Sequence, residues 1–359
     1  MVLSTLSVAS RQGDYEVDFS SLDDPRYRDL FRSCRGAIVD GAVWDHYGRE
    51  EGSFGALEVV VVHPVAEESK TVATCISFCE RLLNSGWRRE DTLLAVGGGV
   101  IQDLATFTAS ILFRGVTWFY VPTTLLSQAD SCIGGKSSLN LGPWKNQLGN
   151  FHPPRKIHIV PEYLNSLPEV QIRSGLGEIL KVHLLSGPQM VHRIDQDYPR
   201  LGLDPSLLTR VIERSLRLKA EIIRSDEFDR GQRLTLNYGH SFGHALEAAA
   251  DFKMAHGIAV TFGMDLANYL AWRLGRVDGT LFDALHRILG QNLRRNDWVK
   301  LDPDRFLRAL RHDKKNRGAE YRFVLPSGEG RVELFGVPMR GDIEGMILER
   351  LGRVEEWLE

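Results

Sequence analysis

Between Gly36 and about Val160, short apolar runs alternate with stretches of helical period. Gly36-Ala37-Ile38-Val39 and Leu57-Glu58-Val59-Val60-Val61-Val62 read as buried strands, Thr71 to Leu83 as a helix, and Thr92-Leu93-Leu94-Ala95-Val96 as a further strand. Such alternation predicts a parallel sheet with right-handed crossovers. The last of these strands runs into Gly97-Gly98-Gly99-Val100-Ile101-Gln102-Asp103 and a helix through Ala109. A glycine turn between a strand and a helix N-terminus lets backbone amides approach a pyrophosphate, and the helix dipole favours its charge. The triplet lacks the GxGxxG spacing, which argues against an ordinary Rossmann domain. After Pro161 the pattern turns helical, over Pro168 to Leu185, Pro205 to Ser225, Ser241 to Ala250, His256 to Leu274 and shorter segments beyond. The expected architecture is an α/β domain over residues 1–166 and an all-α domain over 167–359.

The 359 residues are 43% hydrophobic and 25% charged, an ordinary globular balance with enough chain for two cores. A net charge of −3 gives no electrostatic footprint for nucleic acid or an anionic membrane, while an acidic small substrate stays open. Met1 to Arg11 lacks a basic start followed by an apolar core, and no apolar run approaches a membrane span, so a cytoplasmic protein is expected. Cys34, Cys75, Cys79 and Cys132 show no CxxC spacing; Cys75 and Cys79, one turn apart in an apolar pattern, fit buried thiols. Arg214, Arg217, Lys219 and Arg224 give the 205–225 helix a basic face that by default is solvated.

Candidate chemistry concentrates in Asn237-Tyr238-Gly239-His240-Ser241-Phe242-Gly243-His244-Ala245, followed by His256-Gly257. His240 and His244 are four apart and project from one helix face. Imidazole nitrogens suit Zn²⁺, which in catalytic sites takes three protein ligands and keeps one position open. Spacing alone gives the metal to the His240/His244 pair. The nearest upstream carboxylate in a helical context is Glu178, in Ser174-Gly175-Leu176-Gly177-Glu178-Ile179-Leu180-Lys181.

The ordered motifs resemble the 3-dehydroquinate synthases of the sugar phosphate cyclase family. The resemblance is carried by Gly97-Gly98-Gly99-Val100-Ile101 with Asp103, Phe113-Arg114-Gly115, Val121 to Gln128 with Asp130, Gly134-Gly135-Lys136, and Lys145-Asn146. It continues through Ser174-Gly175-Leu176 with Glu178 and Lys181, Lys219-Ala220-Glu221, Asn237, Gly239-His240, Phe242 to Ala245, His256-Gly257 and Asp313-Lys314-Lys315. It spans roughly Glu67 to Pro326. It implies an N-terminal NAD-binding domain, a helical metal- and substrate-binding domain, NAD⁺, Zn²⁺ or Co²⁺ in the cleft between them, and a homodimer.

The same resemblance assigns residues. Metal ligands become Glu178, His240 and His256, with His244 facing the substrate. Lys136, Asn146, His244, one of Lys314 or Lys315, and Arg114 from a neighbouring subunit correspond to the phosphate-holding set. Arg233 and Lys219 match carboxylate contacts, and Asn237 and Lys181 match hydroxyl contacts near the metal. Asp130 and Lys145 match positions around the nicotinamide and the reacting carbon. The implied nucleotide set comprises Asp40, Glu67, Lys70, Gly97, Gly98, Gly99, Asp103, Thr123, Thr124, Leu126, Asp130, Lys136, Lys145, Ser166, Leu167 and Gln171. The chain departs from the family pattern at Ala66, Gln102, Ser137-Ser138, Gln171 and Ile258.

The activity so implied is cyclisation of 3-deoxy-D-arabino-heptulosonate 7-phosphate to 3-dehydroquinate, with hydride lent to NAD⁺ and returned, β-elimination of phosphate and an intramolecular aldol closure. Asp130, Lys136, Lys181, Lys219, Arg233, Asn237 and His244 are its implied catalytic residues. Related cyclases of secondary metabolism, of the amino-dehydroquinate, valiolone or 2-deoxy-scyllo-inosose type, are one alternative. A metal-dependent polyol dehydrogenase of the glycerol dehydrogenase type is another, and the phosphate-binding set speaks against it.

Overall fold

Apolar runs bounded by turns become the interior strands of a seven-stranded sheet. The computed structural model describes residues 5–48, 53–142 and 144–358; Met1 to Ser4, the start of the N-terminal stretch considered above, lie outside them. The chain divides into two units, Met1–Pro168 and Glu169–Glu359.

The first unit contains, in chain order, β1 (Thr5–Val8), β2 (Tyr15–Phe19), α1 (Pro25–Arg32), β3 (Gly36–Asp40), α2 (Gly41–Val43), β4 (Val59–His63), α3 (Val72–Asn84), β5 (Leu93–Gly97) and α4 (Gly99–Ile111). β6 (Trp118–Pro122), the hairpin strands β7 (Leu139–Leu141) and β8 (Trp144–Leu148), and β9 (Lys156–Ile159) complete it. The sheet order is β1-β2-β9-β6-β5-β3-β4, parallel apart from the antiparallel edge pair β1–β2. All five residues of β5 are buried, as a strand covered on both faces requires. Thr71 caps α3 by accepting from the Thr74 amide, so the helix starts one residue later than its periodicity suggests. β3 is flanked by β4 on one side and β5 on the other, so the strand order reverses here. In open α/β sheets, ligands bind beyond the carboxyl ends of strands at such a reversal.

The second unit contains α5 (Glu169–Leu184), α6 (Pro188–Asp197), α7 (Pro205–Ser225), α8 (His240–Ala249), α9 (His256–Arg273), α10 (Gly279–Gly290) and α11 (Pro303–Arg311). The hairpin β10 (Glu320–Gly328) and β11 (Arg331–Pro338) follows, then α12 (Gly341–Gly352) and α13 (Val354–Trp357). The unit is helical apart from that hairpin, which the sequence reading did not separate out. Tyr321, Phe323 and Leu325 alternate inward along β10, and the turn lies at Gly328 to Arg331. Asp204 caps α7 from the Leu207 amide and Pro205 occupies its first turn, which is why its start is sharp. α9 is buried on every side from Gly257 to Ala271 and forms the centre of the unit.

Glycines set how closely α9 is approached. A Cβ on Gly257 would stand 1.8 Å from the Ser174 carbonyl oxygen on α5, and one on Gly263 would stand 2.1 Å from the Gly239 oxygen beside α8. Any side chain at these positions drives the helices apart. Among the described residues, no helix is long and apolar enough to cross a membrane. The four cysteines are buried and free, and burial pushes the thiols of Cys34 and Cys75 up to about 12, so they stay protonated.

Candidate active site

The carboxyl ends of β3, β5 and β6 gather much of the implied nucleotide set within the first unit. Asp40 ends β3 and accepts from the Ala42 amide at 2.9 Å. Gly97 ends β5, Gly98 caps α4 and Gly99 opens it. A Cβ on Gly97 would meet Ile101 at 2.6 Å and one on Gly98 would meet Thr124 Cγ2 at 2.8 Å, whereas one on Gly99 would meet nothing within 4 Å. The first two glycines are thus required by packing, and the third leaves open space before the α4 amides. Thr123 donates its amide to the Gly97 carbonyl at 3.0 Å, and Thr124 and Ser127 bond each other around Leu126. Gln102, where the family pattern has glycine, is buried and bonds Ser131 in both directions at 2.6 Å, tying α4 to the turn that carries Asp130.

A second cluster in this unit centres on the buried Lys70. Its ammonium lies 2.9 Å from Asp103 Oδ2 and 3.4 Å from Glu67 Oε1, and donates to Asn146 Oδ1 at 3.0 Å. Burial acts against its charge, but Asp103 and Glu67 outweigh burial and raise its pKa. Asp103 is pushed up to about 6 by burial, despite Lys70 and the Ser138 amide. Asn146, assigned to phosphate by resemblance, therefore sits against a member of the nucleotide set. Lys136 is bridged backbone to backbone with Phe151, and Lys145 stands on β8. Arg114 occupies an exposed left-handed turn after α4. Ser166 and Leu167 lie in the turn before α5; Gln171 is exposed on the first turn of α5, in the other unit.

The second unit brings three donors from three helices to one point. Glu178 on α5 is 1% exposed, and its Oε1 lies 3.4 Å from His256 Nε2 on α9 and 3.7 Å from His240 Nε2 on α8. Ligands on a tetrahedral Zn²⁺ at its usual bond lengths stand roughly 3.3 Å apart, so the spacing fits a divalent ion. The ligand nitrogens of His240, His244 and His256 also lie within 4.8 Å of one another. Two triads thus share His240 and His256 and differ in Glu178 against His244.

Hydrogen bonds on the far sides of the rings favour the triad with Glu178. His240 Nδ1 faces the Tyr238 carbonyl at 3.3 Å, and His256 Nδ1 faces the Glu247 carboxylate at 3.2 and 3.3 Å. Both partners only accept, so Nδ1 carries the proton and Nε2 turns toward Glu178. Burial, Lys181 and His256 hold the His240 pKa well below the usual range, keeping it neutral. For His256 burial opposes the charge, but Glu247 and Glu178 outweigh it and push the pKa up to about 10. Desolvation, with His256 nearby, lowers the pKa of His244 to about 4, although the residue keeps an exposed surface.

The remaining assigned residues of this unit are distributed unevenly. Lys181 is buried and donates to Glu178. Lys219 and Arg233 are both buried, Arg233 donating to the Glu227 carbonyl. Asn237 donates to the Leu234 carbonyl at 3.0 Å. Lys315 is half-buried, pairs with Asp313 at 3.0 Å and acts electrostatically on His240 and His244; Lys314 is exposed. Lys315 is thus one of the charges that act on the histidine cluster. The sequence reading missed Glu247, although its position seven residues after His240 places it on the same face of α8.

Sequence models of the 3-dehydroquinate synthase N-terminal and C-terminal regions match residues 60–174 and 175–316. A 3-dehydroquinate synthase of Alkaliphilus metalliredigens is 36% identical over 306 residues, covering 82% of this chain and 84% of that protein. A solved 2-epi-5-epi-valiolone synthase from Streptomyces hygroscopicus subsp. jinggangensis 5008, with NAD⁺ and Zn²⁺ bound, superimposes with a TM-score of 0.85 at 26% identity over 96% of this chain and 99% of that one. A 2-deoxy-scyllo-inosose synthase complexed with carbaglucose-6-phosphate, NAD⁺ and Co²⁺ gives 0.83 at 25% identity over 96% and 100%. Adjoining matches to both regions, over most of a chain folded like these cyclases, mean that it belongs to the 3-dehydroquinate synthase family.

Proposed function

We propose that the protein cyclises 3-deoxy-D-arabino-heptulosonate 7-phosphate to 3-dehydroquinate with release of phosphate, using NAD⁺ and a divalent metal. The observation that carries an acid substrate is the burial of Arg233 and Lys219, 4% and 7% exposed, on the unit that holds the Glu178, His240 and His256 donors. A guanidinium and an ammonium are each suited to a carboxylate.

Glu178, His240 and His256 hold the metal in this reading, and the open space at Gly99 with the α4 amides receives the pyrophosphate of NAD⁺. When bound, the metal polarises a substrate hydroxyl and NAD⁺ takes and returns its hydride. Lys181, already hydrogen-bonded to Glu178, orients that hydroxyl together with Asn237. Neutral His244 and cationic Lys315 hold the phosphate. Lys136, Asn146 and, in a homodimer, Arg114 of the second copy are the further phosphate contacts that the family resemblance implies. Much of the rate then comes from fixing one conformer of the substrate.

Likeness to the inosose and valiolone synthases favours a second reading, a cyclase for another sugar phosphate. Purified protein with NAD⁺, Zn²⁺ and each of heptulosonate 7-phosphate, sedoheptulose 7-phosphate and glucose 6-phosphate separates them by phosphate release and product mass. The expected result is phosphate and dehydroquinate from the heptulosonate alone, with no lasting rise in NADH absorbance. Equal turnover of a neutral sugar phosphate overturns the substrate, and stoichiometric NADH overturns the cyclase chemistry.

A further inference from the structure

α8 presents His240, His244 and Glu247 at spacings of four and three residues, so all three share one face of the helix. The first two turn their rings toward His256, at centroid distances of 5.4 and 5.8 Å. The third reaches past them to the opposite edge of the same ring: both Glu247 oxygens stand within 3.3 Å of His256 Nδ1. The Glu247 side chain is 15% exposed and that of His256 35%. His256 is the first residue of α9 and its preceding turn contains Asp251 and Phe252 in left-handed backbone conformations. His240, likewise the first residue of its helix, has its Nδ1 set by a backbone group instead, the Tyr238 carbonyl two residues away.

We infer that Glu247 is a positioning residue for the divalent metal: its carboxylate fixes the tautomer and rotation of His256, so that Nε2 is aimed at the point where Glu178 and His240 converge. The inference rests on the metal reading proposed above. A carboxylate behind a ligating imidazole also raises the ring's basicity and hence its donor strength, and loss of such a partner weakens metal binding by about 10- to 100-fold. One helix then supplies a ligand, a ring that faces the substrate and the group that orients a ligand on the next helix.

The test uses the full-length protein stripped of metal, as wild type, Glu247→Gln, Glu247→Ala and His256→Ala. Zinc affinity is measured by competition with a chromophoric chelator, the ligand field by the visible spectrum after Co²⁺ loading, and folding by far-ultraviolet circular dichroism. The glutamine keeps a neutral acceptor for the Nδ1 proton. Zinc affinity should therefore fall by about tenfold in Glu247→Gln and by up to about a hundredfold in Glu247→Ala. The Co²⁺ bands should shift while circular dichroism does not. If His256→Ala loses its metal but both Glu247 variants bind as tightly as wild type with unchanged Co²⁺ bands, the positioning role is overturned and the metal reading stands. If His256→Ala keeps full metal, the metal reading itself fails. Loss of all zinc in the near-isosteric glutamine variant makes Glu247 a ligand and overturns positioning in the other direction.

Discussion

Gly177 and Gly257 meet backbone to backbone: a Cβ on Gly177 would stand 2.1 Å from the Gly257 carbonyl oxygen. Each is the chain neighbour of a candidate ligand, Glu178 on one side and His256 on the other, so the contact that joins α5 to α9 also sets the distance between carboxylate and imidazole. The Gly257 amide further donates to Ser174 Oγ at 2.9 Å, locking the register of the two helices.

Gly257→Ala tests this directly. Its Cβ would lie 1.8 Å from a carbonyl oxygen, a backbone atom with no rotamer to move, so α9 has to shift away from α5. Overpacking of this kind costs about 3 kcal/mol, at the upper end of its range. The expected outcome is a lowered melting temperature together with a loss of bound zinc on elemental analysis. Unchanged melting and full zinc would show that the crossing has slack.

The two overlapping donor triads are separated by four variants. Alanine at Glu178, His240 or His256 should each abolish stoichiometric zinc, because two protein ligands rarely hold a catalytic ion. His244→Ala should keep zinc and instead raise the KM for a phosphorylated substrate. Zinc lost from His244→Ala but retained by Glu178→Ala would reverse the assignment.

Much of this site is local information in the sequence and the decisive part is not. The 205–225 helix was legible to the residue because Asp204 and Pro205 are start signals that act within one turn. The face shared by His240 and His244 was legible from spacing, and their rings do lie 5.4 Å apart. Glu178 is far away along the chain and arrives only through the glycine crossing of α5 and α9, which no periodicity encodes. Lys315 differs from Lys314 only in which side of a short turn it faces, and adjacent residues carry no pattern to tell them apart. The β10–β11 hairpin went unseparated because Pro326 interrupts its alternation near the turn.

Behind α5 lies a fully buried histidine that no proposed step uses. His183 donates from Nδ1 to the Ile179 carbonyl at 2.8 Å and accepts at Nε2 from Arg214 at 2.9 Å, while Arg214 pairs with Asp197 at 2.7 Å. Burial lowers its pKa to about 4. The unfolded chain, near 6.5, takes up the proton first on acidification. The stability contribution is therefore complete above pH 6.5 and is lost as the pH falls towards 4, by about 3 kcal/mol in all. In urea titrations at a series of pH values, His183→Gln should lose less stability than wild type across this window. Parallel pH profiles would place the acid sensitivity elsewhere.

The glycine turn of the first unit makes a separable prediction. Gly99→Ala adds a methyl group into space with nothing within 4 Å, at the start of a helix where alanine is favourable. Melting temperature should hold or rise slightly. If that space receives the NAD⁺ pyrophosphate, affinity for NAD⁺ measured by calorimetry should drop by roughly tenfold or more, since glycine is what permits close backbone approach there. Wild-type affinity would move the nucleotide away from this turn.

Arg233→Ala tests the proposed substrate class. At 4% exposure, the Arg233 guanidinium donates to the Glu227 carbonyl, and in the reading proposed above it also meets the substrate carboxylate, a contact that a neutral sugar does not offer. Loss of a hydrogen bond between charged groups costs up to about 3 kcal/mol. That corresponds to a preference of roughly a hundredfold or more in kcat/KM for the heptulosonate phosphate over sedoheptulose 7-phosphate. Arg233→Ala should lose most of the preference through weaker binding of the acid, with KM raised more than kcat is lowered. A variant that keeps the wild-type ratio would show that the carboxylate is held by other groups, and a wild-type ratio near one would leave only the broader cyclase assignment.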